Sequence, residues 1–484
     1  MTAKQDRIEG VLLATAAGDA LGAPYEFQPP RGPELEVVMN GGGPWAPGEW
    51  TDDTAMAIAI AEVAAMGVDL RDELAQDRIV LRWREWSLGA KDVGIQTRQV
   101  LGEASRRGAI TAERARAESA RHHERTGRSA GNGSLMRTAP VALAYLHDED
   151  ALTEAARTVS GLTHFDVDAG DACVLWCTAI RHAVLTGELD VRVGLRHLAS
   201  DRQQVWSERI DEAENASPTA FPRNGWVVQA LQAAWSAIAV AQRADDVTFP
   251  ADRLRRGVDA AVRAGFDTDT VAAIAGGLLG AAYGASAVPW DWRSRLHGWP
   301  DLTAHDLAGL AGRIARRGRA ASFDPMYRGY RIDALAPHPY DDGVLLGGIG
   351  ALHNLSDGVD AVVSLCRIGA DHIRRDIPHV EVRLIDRTDP DENPHLDFVL
   401  LEATRAIEQL RRDGRTVLLH CVEGVSRTPT VAALYGARLR AGGVEEALSA
   451  VVGALPRAVP NVRFRQALVE LDTNRAGVTT EEVR

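Results

Sequence analysis

Residues 417–428 read VLLHCVEGVSRT, and this stretch determines the fold class of the second half of the chain. An apolar run that ends at Cys421 is typical of a buried strand, and a helical pattern begins near Arg427 after a short loop. A strand, a tight loop and a helix in direct succession are a building unit of α/β domains. The stretch therefore predicts an α/β domain in which a cysteine ends a strand and faces a helix N-terminus.

Apolar segments of period two alternate with helical patterns around this unit. The strand-like segments cover 343–346, 361–365, 380–385 and 417–419, and the helical patterns cover 397–411 and 430–441. Alternation of strands with helices favours a central, mainly parallel sheet. We expect this α/β domain to occupy residues 339–475 and a short tail to cover 476–484.

The first two thirds of the chain have a different pattern. Over residues 1–318 apolar residues recur at three- and four-residue intervals, and alternation of β-branched residues is scarce. Residues 319–338 are first basic and then rich in proline, which is typical of a linker. The 484 residues are about three times a typical domain of ~150. We therefore expect a multidomain protein in which an all-α domain precedes the α/β domain.

The composition excludes several classes of protein. Lysine and arginine number 54, aspartate and glutamate 67, and the net charge of −13 disfavours non-specific binding to nucleic acid or anionic membranes. Four scattered cysteines are too few for a disulfide framework, so we expect a cytoplasmic protein. Residues 270–290 are uncharged with glycines at four-residue spacing, but they consist mostly of alanine and glycine. We expect a packed core helix there and no membrane partner.

Two acidic motifs stand far apart in the first domain. Thr51-Asp52-Asp53-Thr54 and Asp267-Thr268-Asp269-Thr270 each precede an alanine-rich helix. Helix capping explains one side-chain oxygen at each position, and for a single motif it would be the preferred interpretation. Here each motif supplies two carboxylates, and crowded carboxylates need a neutralising partner such as a hard divalent cation. Four carboxylates with threonines suit a two-metal site, and Mg²⁺ or Mn²⁺ fits better than Zn²⁺ because no histidine or cysteine lies close by in sequence.

Four motifs follow one another in the first domain: GDALG at 18–22 with Glu26, GEWTDDT at 48–54, GNGSLMR at 131–137 and DTDT at 267–270. In this order they resemble the ADP-ribosylglycohydrolase family. The resemblance spans about residues 1–315. It implies an all-α fold, a dinuclear Mg²⁺ or Mn²⁺ centre, and hydrolysis of the glycosidic bond between ADP-ribose and a protein side chain or small acceptor.

The resemblance also implies roles for individual residues. One metal ion would be ligated by Thr51, Asp52 and Asp53, and the other by Asp267, Asp269 and Thr270, with Asp269 as the bridge. Glu26 would be a gate or proton acceptor, against the alternative of an ordinary surface glutamate. The diphosphate would bind at Gly131, Asn132, Gly133 and Ser134, which alone would read as a plain loop with an Asn-Gly turn. His164 would lie near the phosphates or the ribose, against the alternative of a buried histidine satisfied by a backbone carbonyl.

The loop between Cys421 and Arg427 has the features of an oxyanion site. A cysteine at a strand end, facing a helix N-terminus beside an arginine, should exist largely as thiolate. Backbone N–H groups and a bidentate guanidinium would cradle a tetrahedral anion. The alternative is a buried structural thiol. The loop resembles the signature of the cysteine-dependent protein tyrosine phosphatases, closest to their dual-specificity branch, over about residues 340–470.

This second resemblance implies a thiol mechanism without a metal or another cofactor. Cys421 would be the nucleophile, Arg427 the transition-state clamp and Thr428 a hydroxyl that stabilises the leaving thiolate. The general acid would be Asp389, which lies 32 positions before Cys421, or Asp386 at the end of a strand. The phosphate would be bound by the loop residues Glu423, Gly424, Val425 and Ser426.

The two resemblances predict a bifunctional hydrolase. Its partners would be an ADP-ribosylated protein or small molecule and a phosphorylated protein or small phosphomonoester. The alternative is a single ADP-ribosyl hydrolase activity, with a phosphatase-like domain that reads phosphate and recruits the substrate.

Overall fold

The computed structural model describes residues 2–106, 108–319, 335–355, 358–368, 373, 377–440 and 442–481, with side chains omitted at 353–354 and 474–481. Contacts divide the chain into two compact units. The first covers Lys4–Ala320 and the second includes Ala321–Arg484. Each unit is described by itself.

The first unit is built of α-helices with one short β-ribbon. The ribbon pairs β1 (His297–Gly298) with β2 (Leu302–Thr303) in antiparallel orientation. Alanine-rich sequences with few β-branched residues explain the helical content, because alanine loses least on entering a helix. The helices are α1 (Ala3–Gly22), α2 (Asp52–Ala64), α3 (Glu73–Ser87), α4 (Ile95–Ser105), α5 (Ala112–Thr126), α6 (Ala139–Ala144), α7 (Glu149–Gly161), α8 (Val167–Thr186), α9 (Ser200–Asn215), α10 (Val227–Gln242), α11 (Asp252–Val262), α12 (Thr268–Tyr283), α13 (Trp290–Arg293) and α14 (Ala304–Ala315).

Glycines bring the backbones of α1 and α12 into direct contact. A Cβ atom on Gly276 would lie 2.1 Å from the carbonyl oxygen of Ala14, and one on Gly22 would lie 2.4 Å from the Cα of Asp269. Any larger side chain would force the helices apart, so the sequence spacing of these glycines serves helix packing. The contact places the end of α1 beside the start of α12, where the second acidic motif lies.

The second unit has a central sheet with strand order β3-β4-β7-β5-β6 among the described residues. Only β3 runs antiparallel to its neighbour, and the other pairs are parallel. The strand β7 is buried along its whole length in the middle of the sheet, which fits its continuous apolar run. The elements are β3 (Leu335–His338), β4 (Asp341–Gly348), β5 (Ala361–Ser364), β6 (His379–Glu381), α15 (Leu396–Arg412), β7 (Val417–Cys421), α16 (Arg427–Leu439), α17 (Val444–Ala454) and α18 (Val462–Glu481).

The predicted fold class is confirmed: an all-α domain is followed by an α/β domain with a mainly parallel sheet. Residues 320–334 of the predicted linker, 319–338, lie outside the described residues. Its last four residues form β3, because their backbone groups pair with β4, so the sheet starts before position 339. Helix α18 continues to Glu481, into the predicted tail at 476–484.

The uncharged stretch at 270–290 lies largely in α12, which is buried within the first unit. None of the described helices has the length and apolar character needed to cross a bilayer.

Candidate active sites

The first acidic motif is held in place by a carboxylate from another helix. Asp19, fully buried in α1, accepts the N–H of Thr51 with Oδ1 and the N–H of Thr54 with Oδ2, each at 2.9 Å. The N-cap residues of α2 and α12, Thr51 and Asp267, make no side-chain cap hydrogen bond of their own. Capping therefore does not account for the carboxylates of the two motifs. An aspartate inside an apolar helix was the available sequence signal for Asp19, which the sequence analysis did not assign to the site.

Two groups of carboxylates converge near these helix starts. Oxygens of Asp19, Asp53 and Asp269 lie within 4.8 Å of one another, and so do oxygens of Glu26, Asp267 and Asp269. Asp269 belongs to both groups. Four of these five carboxylates, all except Asp19, were predicted from the sequence as site residues. Glu26 and Asp53 lie more than two hundred positions before Asp267 and Asp269 in the chain, and the fold brings them together.

The environment of the cluster is adverse to bare negative charge. Burial, reinforced by neighbouring carboxylates, raises the pKa of Asp53 and of Asp269 well above the usual range. Oδ1 of Asp53 is buried and has no hydrogen-bond partner among the described residues. Thr51 donates its hydroxyl to Oδ2 of the same carboxylate at 3.1 Å. An orphaned buried oxygen within an all-oxygen set fits a hard divalent cation.

Two carboxylates of the site, Asp52 and Glu26, are only partly buried. Asp52 is half-buried and lies outside both groups, and burial followed by the charge of Asp92 raises its pKa to about 7. Burial and then the charge of Asp267 raise the pKa of Glu26 to about 8. Asp92 thus adds to the negative potential of the site, although the sequence offered no motif that would have identified it.

A strained backbone pairing sets the position of Glu26. Phe27 donates its N–H to the carbonyl of Phe266 at 2.6 Å, and Phe266 donates to the carbonyl of Gln28 at 2.7 Å. Both phenylalanines have positive φ, 62° and 61°, which costs about 1–2 kcal/mol for each non-glycine residue. The pairing ties the residue after Glu26 to the residue before Asp267, so these two carboxylates are held side by side.

The glycine-rich segment lies against the second acidic motif. Asn132 donates from Nδ2 to Oδ2 of Asp267 and to the carbonyl of Asn224, both at 2.8 Å. Its side chain therefore orients Asp267 in this structure. Gly131 forms an isolated antiparallel β-bridge with Trp226. Ser134 is buried, and its hydroxyl lies 3.6 Å from the sulfur of Cys173.

His164 borders the same segment. Its Nδ1 lies 2.7 Å from the hydroxyl of Thr163, so the contact is with a hydroxyl and not with the backbone carbonyl of the alternative interpretation. A Cβ atom on Gly133 would lie 3.2 Å from Nε2 of His164, and one on Gly131 would lie 3.4 Å from it. The absence of side chains at these two positions leaves the imidazole edge against the loop backbone. Thr270 is buried at the first turn of α12.

The cysteine loop of the second unit lies at the carboxyl end of the central strand. Cys421 ends β7 with 1% of its surface exposed, and α16 begins six residues later at Arg427. Gly424 has a φ of 70° and donates its N–H to the sulfur of Cys421 at 3.3 Å. The loop backbone thus turns inward over the thiol, as an anion-binding loop requires. Glu423 is exposed and Val425 is half-buried.

Arg427 is anchored by one nitrogen. Nη1 donates to the carbonyls of Leu365 at 2.9 Å and Leu384 at 3.1 Å. Nε is buried and has no hydrogen-bond partner among the described residues. Anchoring fixes the plane of the guanidinium. Nε lies 3.9 Å from Oδ2 of Asp386, an ion pair without a hydrogen bond, so its N–H can still donate to an anion in the loop.

The two candidate general acids have different surroundings. Asp386 accepts hydrogen bonds from the hydroxyl of Ser426 and from Nδ2 of Asn461, both at 2.8 Å. Asp389 is exposed and caps the turn Pro390–Glu392 by accepting the N–H of Asp391 at 3.0 Å. Asp386 is therefore the candidate that contacts the cysteine loop. Asn461 was not found from the sequence, because its distance from the loop along the chain gives no local signal.

Two buried side chains complete the surroundings of the loop. Thr428 donates its hydroxyl to the carbonyl of Gly347 at 3.1 Å. His420 lies 3.1 Å by Nδ1 from the carbonyl of Cys421 and 2.7 Å by Nε2 from the hydroxyl of Ser364. Burial lowers the pKa of His420 to about 4, so it is neutral at pH 7 and serves as a hydrogen-bonding support of the strand end.

Comparisons with known proteins agree with this division. The model of the family described as ADP-ribosylglycohydrolase matches residues 1–322, and that described as dual specificity phosphatase, catalytic domain, matches residues 353–474. The chain is 32% identical over 294 residues to ADP-ribosylarginine hydrolase Tri1 of Pseudomonas putida, covering 59% of this chain and 73% of that protein. It is 28% identical over 301 residues to ADP-ribosyl-[dinitrogen reductase] glycohydrolase of Rhodospirillum rubrum, covering 60% of this chain and 90% of that protein.

A different set of relatives matches the second unit. Dual specificity protein phosphatase 22-A of Danio rerio is 29% identical over 133 residues, which covers 27% of this chain and 62% of that protein. Both resemblances inferred from the sequence motifs are confirmed. The chain belongs to the ADP-ribosylglycohydrolase family and carries a dual-specificity phosphatase-like domain after its glycohydrolase domain.

Proposed function

We propose that the chain is a bifunctional hydrolase that releases ADP-ribose at the acidic site and hydrolyses phosphomonoesters at the cysteine loop. The observation that carries the first activity is the convergence of Asp19, Asp53 and Asp269, together with the buried Oδ1 of Asp53, which has no hydrogen-bond partner among the described residues. The observation that carries the second is the Gly424 N–H directed at the sulfur of Cys421.

The acidic residues suit a pair of hard cations, Mg²⁺ or Mn²⁺. Thr51, Asp52 and Asp53 would hold one ion and Asp267, Asp269 and Thr270 the other, and the membership of Asp269 in both carboxylate groups favours it as the bridge. When bound, the ions would supply positive charge that holds ribose hydroxyls and stabilises charge developed as the glycosidic bond breaks.

The chain's own residues would position the substrate and move one proton. Glu26, held beside Asp267 by the Phe27–Phe266 pairing, would accept a proton from the attacking water. A raised pKa suits this role, because a carboxylate with an ordinary pKa is a weak base. Backbone N–H groups of the 131–134 segment would bind the diphosphate, with Asn132 orienting Asp267.

A modified arginine is the acceptor that we propose. The matched protein of Pseudomonas putida is named an ADP-ribosylarginine hydrolase, and so is that of Serratia proteamaculans, 27% identical over 298 residues. Once bound cations favour the deprotonated carboxylates, Glu26, Asp52 and Asp92 would complement a guanidinium group in the acceptor.

The first activity is tested by measuring release of ADP-ribose from an ADP-ribosylarginine peptide by the full chain. We expect release with Mg²⁺ or Mn²⁺, none with EDTA, and none from Asp269→Asn. Asp245→Asn makes the same change at an exposed position and should behave as wild type. Release that persists in EDTA would overturn the metal dependence, and release from an ADP-ribosylserine peptide only would overturn the arginine assignment.

In the second site, Cys421 would attack phosphorus, so that an S–P bond forms while the P–O bond to the leaving group breaks. Arg427 and the loop N–H groups would hold the non-bridging oxygens. Asp386 would give its proton to the leaving oxygen, and we prefer it to Asp389 because it contacts Ser426 in the loop. Water would then break the S–P bond, releasing phosphate and thiolate and returning a proton to Asp386.

Hydrolysis of p-nitrophenyl phosphate by the full chain tests the second activity. We expect turnover that is unaffected by EDTA and is abolished in Cys421→Ser, whereas Cys177→Ser makes the same change at a buried cysteine of the first unit and should keep the turnover. Phosphate or tungstate binding without turnover would contradict a phosphatase and support the alternative, a domain that reads phosphate and recruits the substrate.

A further inference from the structure

Arg137 is a buried cation that none of the roles above requires. Its side chain is fully buried, and the guanidinium carbon lies 3.9 Å above the ring of Trp83. Among the described residues no carboxylate lies within ion-pair distance of it, and its Nε has no hydrogen-bond partner. Burying a cation without an ion pair is costly, so its presence at the end of the 131–137 motif calls for a physical reason.

The guanidinium makes one short hydrogen bond to a neutral group. Nη2 of Arg137 donates to the hydroxyl oxygen of Thr163 at 2.6 Å, and Nη1 lies 3.7 Å from the sulfur of Met56. The same hydroxyl oxygen lies 2.7 Å from Nδ1 of His164. Arg137, Thr163 and His164 therefore form a continuous chain of buried polar groups.

The directions of the protons in this chain follow from the donor inventory. Arginine is only a donor, so the oxygen of Thr163 accepts from it and its own hydroxyl proton points elsewhere. Among the hydrogen bonds of the described residues, Nδ1 of His164 is the acceptor within reach of that proton, so the hydroxyl is satisfied when Nδ1 is unprotonated. Burial, together with the charge of Arg137, lowers the pKa of His164 well below its usual range, so the ring is neutral. The single ring proton therefore resides on Nε2.

That nitrogen faces the glycine-rich segment. Cβ atoms on Gly133 and Gly131 would lie 3.2 and 3.4 Å from Nε2. Gln96 stabilises the backbone from which the ring projects, because its Nε2 donates to the carbonyl of Thr163 at 2.8 Å. The imidazole N–H thus points at the place where the proposed function puts the diphosphate.

We propose that Arg137, acting through Thr163, fixes His164 as the Nε2–H tautomer, so that this nitrogen is a permanent donor to an anionic oxygen of ADP-ribose. Arg137 and Thr163 are positioning residues, and His164 is the residue that contacts the substrate. The inference rests on the proposed function only for the identity of the ligand. The tautomer itself is a property of the free protein.

The tautomer is read by long-range ¹H–¹⁵N NMR on the full chain with labelled histidine, with the His164 signal assigned by its loss in His164→Gln. We expect the Nε2–H pattern in wild type and in Thr163→Ser, which keeps the hydroxyl. Thr163→Val should lose it or show a mixture. An Nδ1–H ring in the wild-type protein would overturn the proposal. This measurement needs no variant, so the proposal can be tested even if Thr163→Val does not fold.

Binding of ADP-ribose by calorimetry tests the functional half. Thr163→Val should weaken Kd about tenfold, the size expected for one hydrogen bond to a charged oxygen, and Thr163→Ser should not. His164→Gln replaces the ring by an amide that can donate from a similar place, so Thr163→Val added to it should cause no further loss. A full tenfold loss in that background would mean that Thr163 acts through packing alone. If the wild-type chain does not bind ADP-ribose, the proposed ligand is wrong, whereas the tautomer is still determined.

Discussion

The acidic site of the first unit takes its side chains from separate segments at 19–26, 51–53 and 267–270, whereas the cysteine loop of the second unit takes most of its groups from residues 421–427. The first is assembled by tertiary contacts, above all the glycine contact between α1 and α12. The second is assembled by local backbone geometry between β7 and α16. Errors in packing should therefore damage the first site and leave the second intact.

The two sites also differ in the charge they leave unbalanced. The acidic cluster concentrates carboxylates whose pKa values are raised by burial, so the site is incomplete without cations. The cysteine loop directs N–H donors inward, so the site is incomplete without an anion. This contrast explains how a chain with a net charge of −13 can bind phosphate-bearing substrates, because local donors and metal ions outweigh the surface field.

The largest effect that we expect concerns the local site. Asp386→Asn should lower kcat for a phosphomonoester with a poor leaving group by about 10²–10⁴-fold, because protonation of the leaving oxygen is lost. The effect should be much smaller for p-nitrophenyl phosphate, whose leaving group needs little protonation. Asp389→Asn is the matched control and should act nearly as wild type. A larger loss in Asp389→Asn, growing as the leaving group becomes poorer, would instead make Asp389 the general acid.

A smaller effect is expected from the buried support of the acidic site. Asp19→Asn keeps the size of the side chain but loses one of two acceptors for the N–H groups of Thr51 and Thr54. We expect Mn²⁺ affinity to fall by about 10–100-fold, as for other supports of metal ligands, with activity largely restored at high metal. Isothermal titration with Mn²⁺ measures this directly. Unchanged affinity would mean that Asp19 serves only the folding of α2.

The comparison also shows which parts of each site can be predicted from sequence. The cysteine loop was identified as a unit because its residues are contiguous and their spacing is set by one strand end and one helix start. In the acidic site the candidate ligands in the two acidic motifs were identified, since paired carboxylates before alanine-rich helices are unusual. The convergence of Asp267 and Asp269 with Glu26 depends on the backbone pairing of Phe27 with Phe266, which no local sequence pattern predicts.

Supporting polar residues were missed in both units. Asp19 supports the backbone of another segment, and Arg137 and Asn461 act through other side chains. Only Asp19, an aspartate within an apolar helix, stands out in the sequence, and the partners of all three lie far away along the chain. Asp386 and Asp389 lie three positions apart in one loop, and spacing alone favoured the one that does not contact the cysteine loop. Strand and helix types were predicted well because their apolar periods are strong, whereas the edge strand β3 was missed because it is short, holds a proline and shows no apolar alternation.

Helix packing gives the next prediction, an effect on stability. Gly276→Ala should lower the free energy of unfolding of the first unit by about 1–3 kcal/mol, because its Cβ would lie 2.1 Å from a backbone oxygen of α1. Gly102→Ala in α4 is the matched control, since nothing lies within 4 Å of its Cβ position and alanine favours helix. We expect the two variants to shift the melting temperature in opposite directions. Equal shifts in the two variants would contradict the prediction and show that α1 and α12 move apart at little cost. Phosphatase activity should be unaffected in both variants.

The smallest expected effect is the pH dependence of stability without metal. Burial raises the pKa of Asp52 to about 7 and that of Glu26 to about 8, so between their unfolded values near 4 and these values the folded state binds more protons than the unfolded state. The stabilisation is complete below the unfolded values and is lost as pH rises through about 7–8. Both carboxylates are only partly buried, so solvent screening reduces the linked free energy to about 1–2 kcal/mol. In EDTA we therefore expect the melting temperature of the first unit to fall by several degrees between about pH 5.5 and 8.5, since ~1 kcal/mol corresponds to about 2–4 °C. Saturating Mg²⁺ should flatten or reverse this slope, because cations favour the deprotonated carboxylates, whereas the same slope with and without Mg²⁺ would contradict cation binding at these residues.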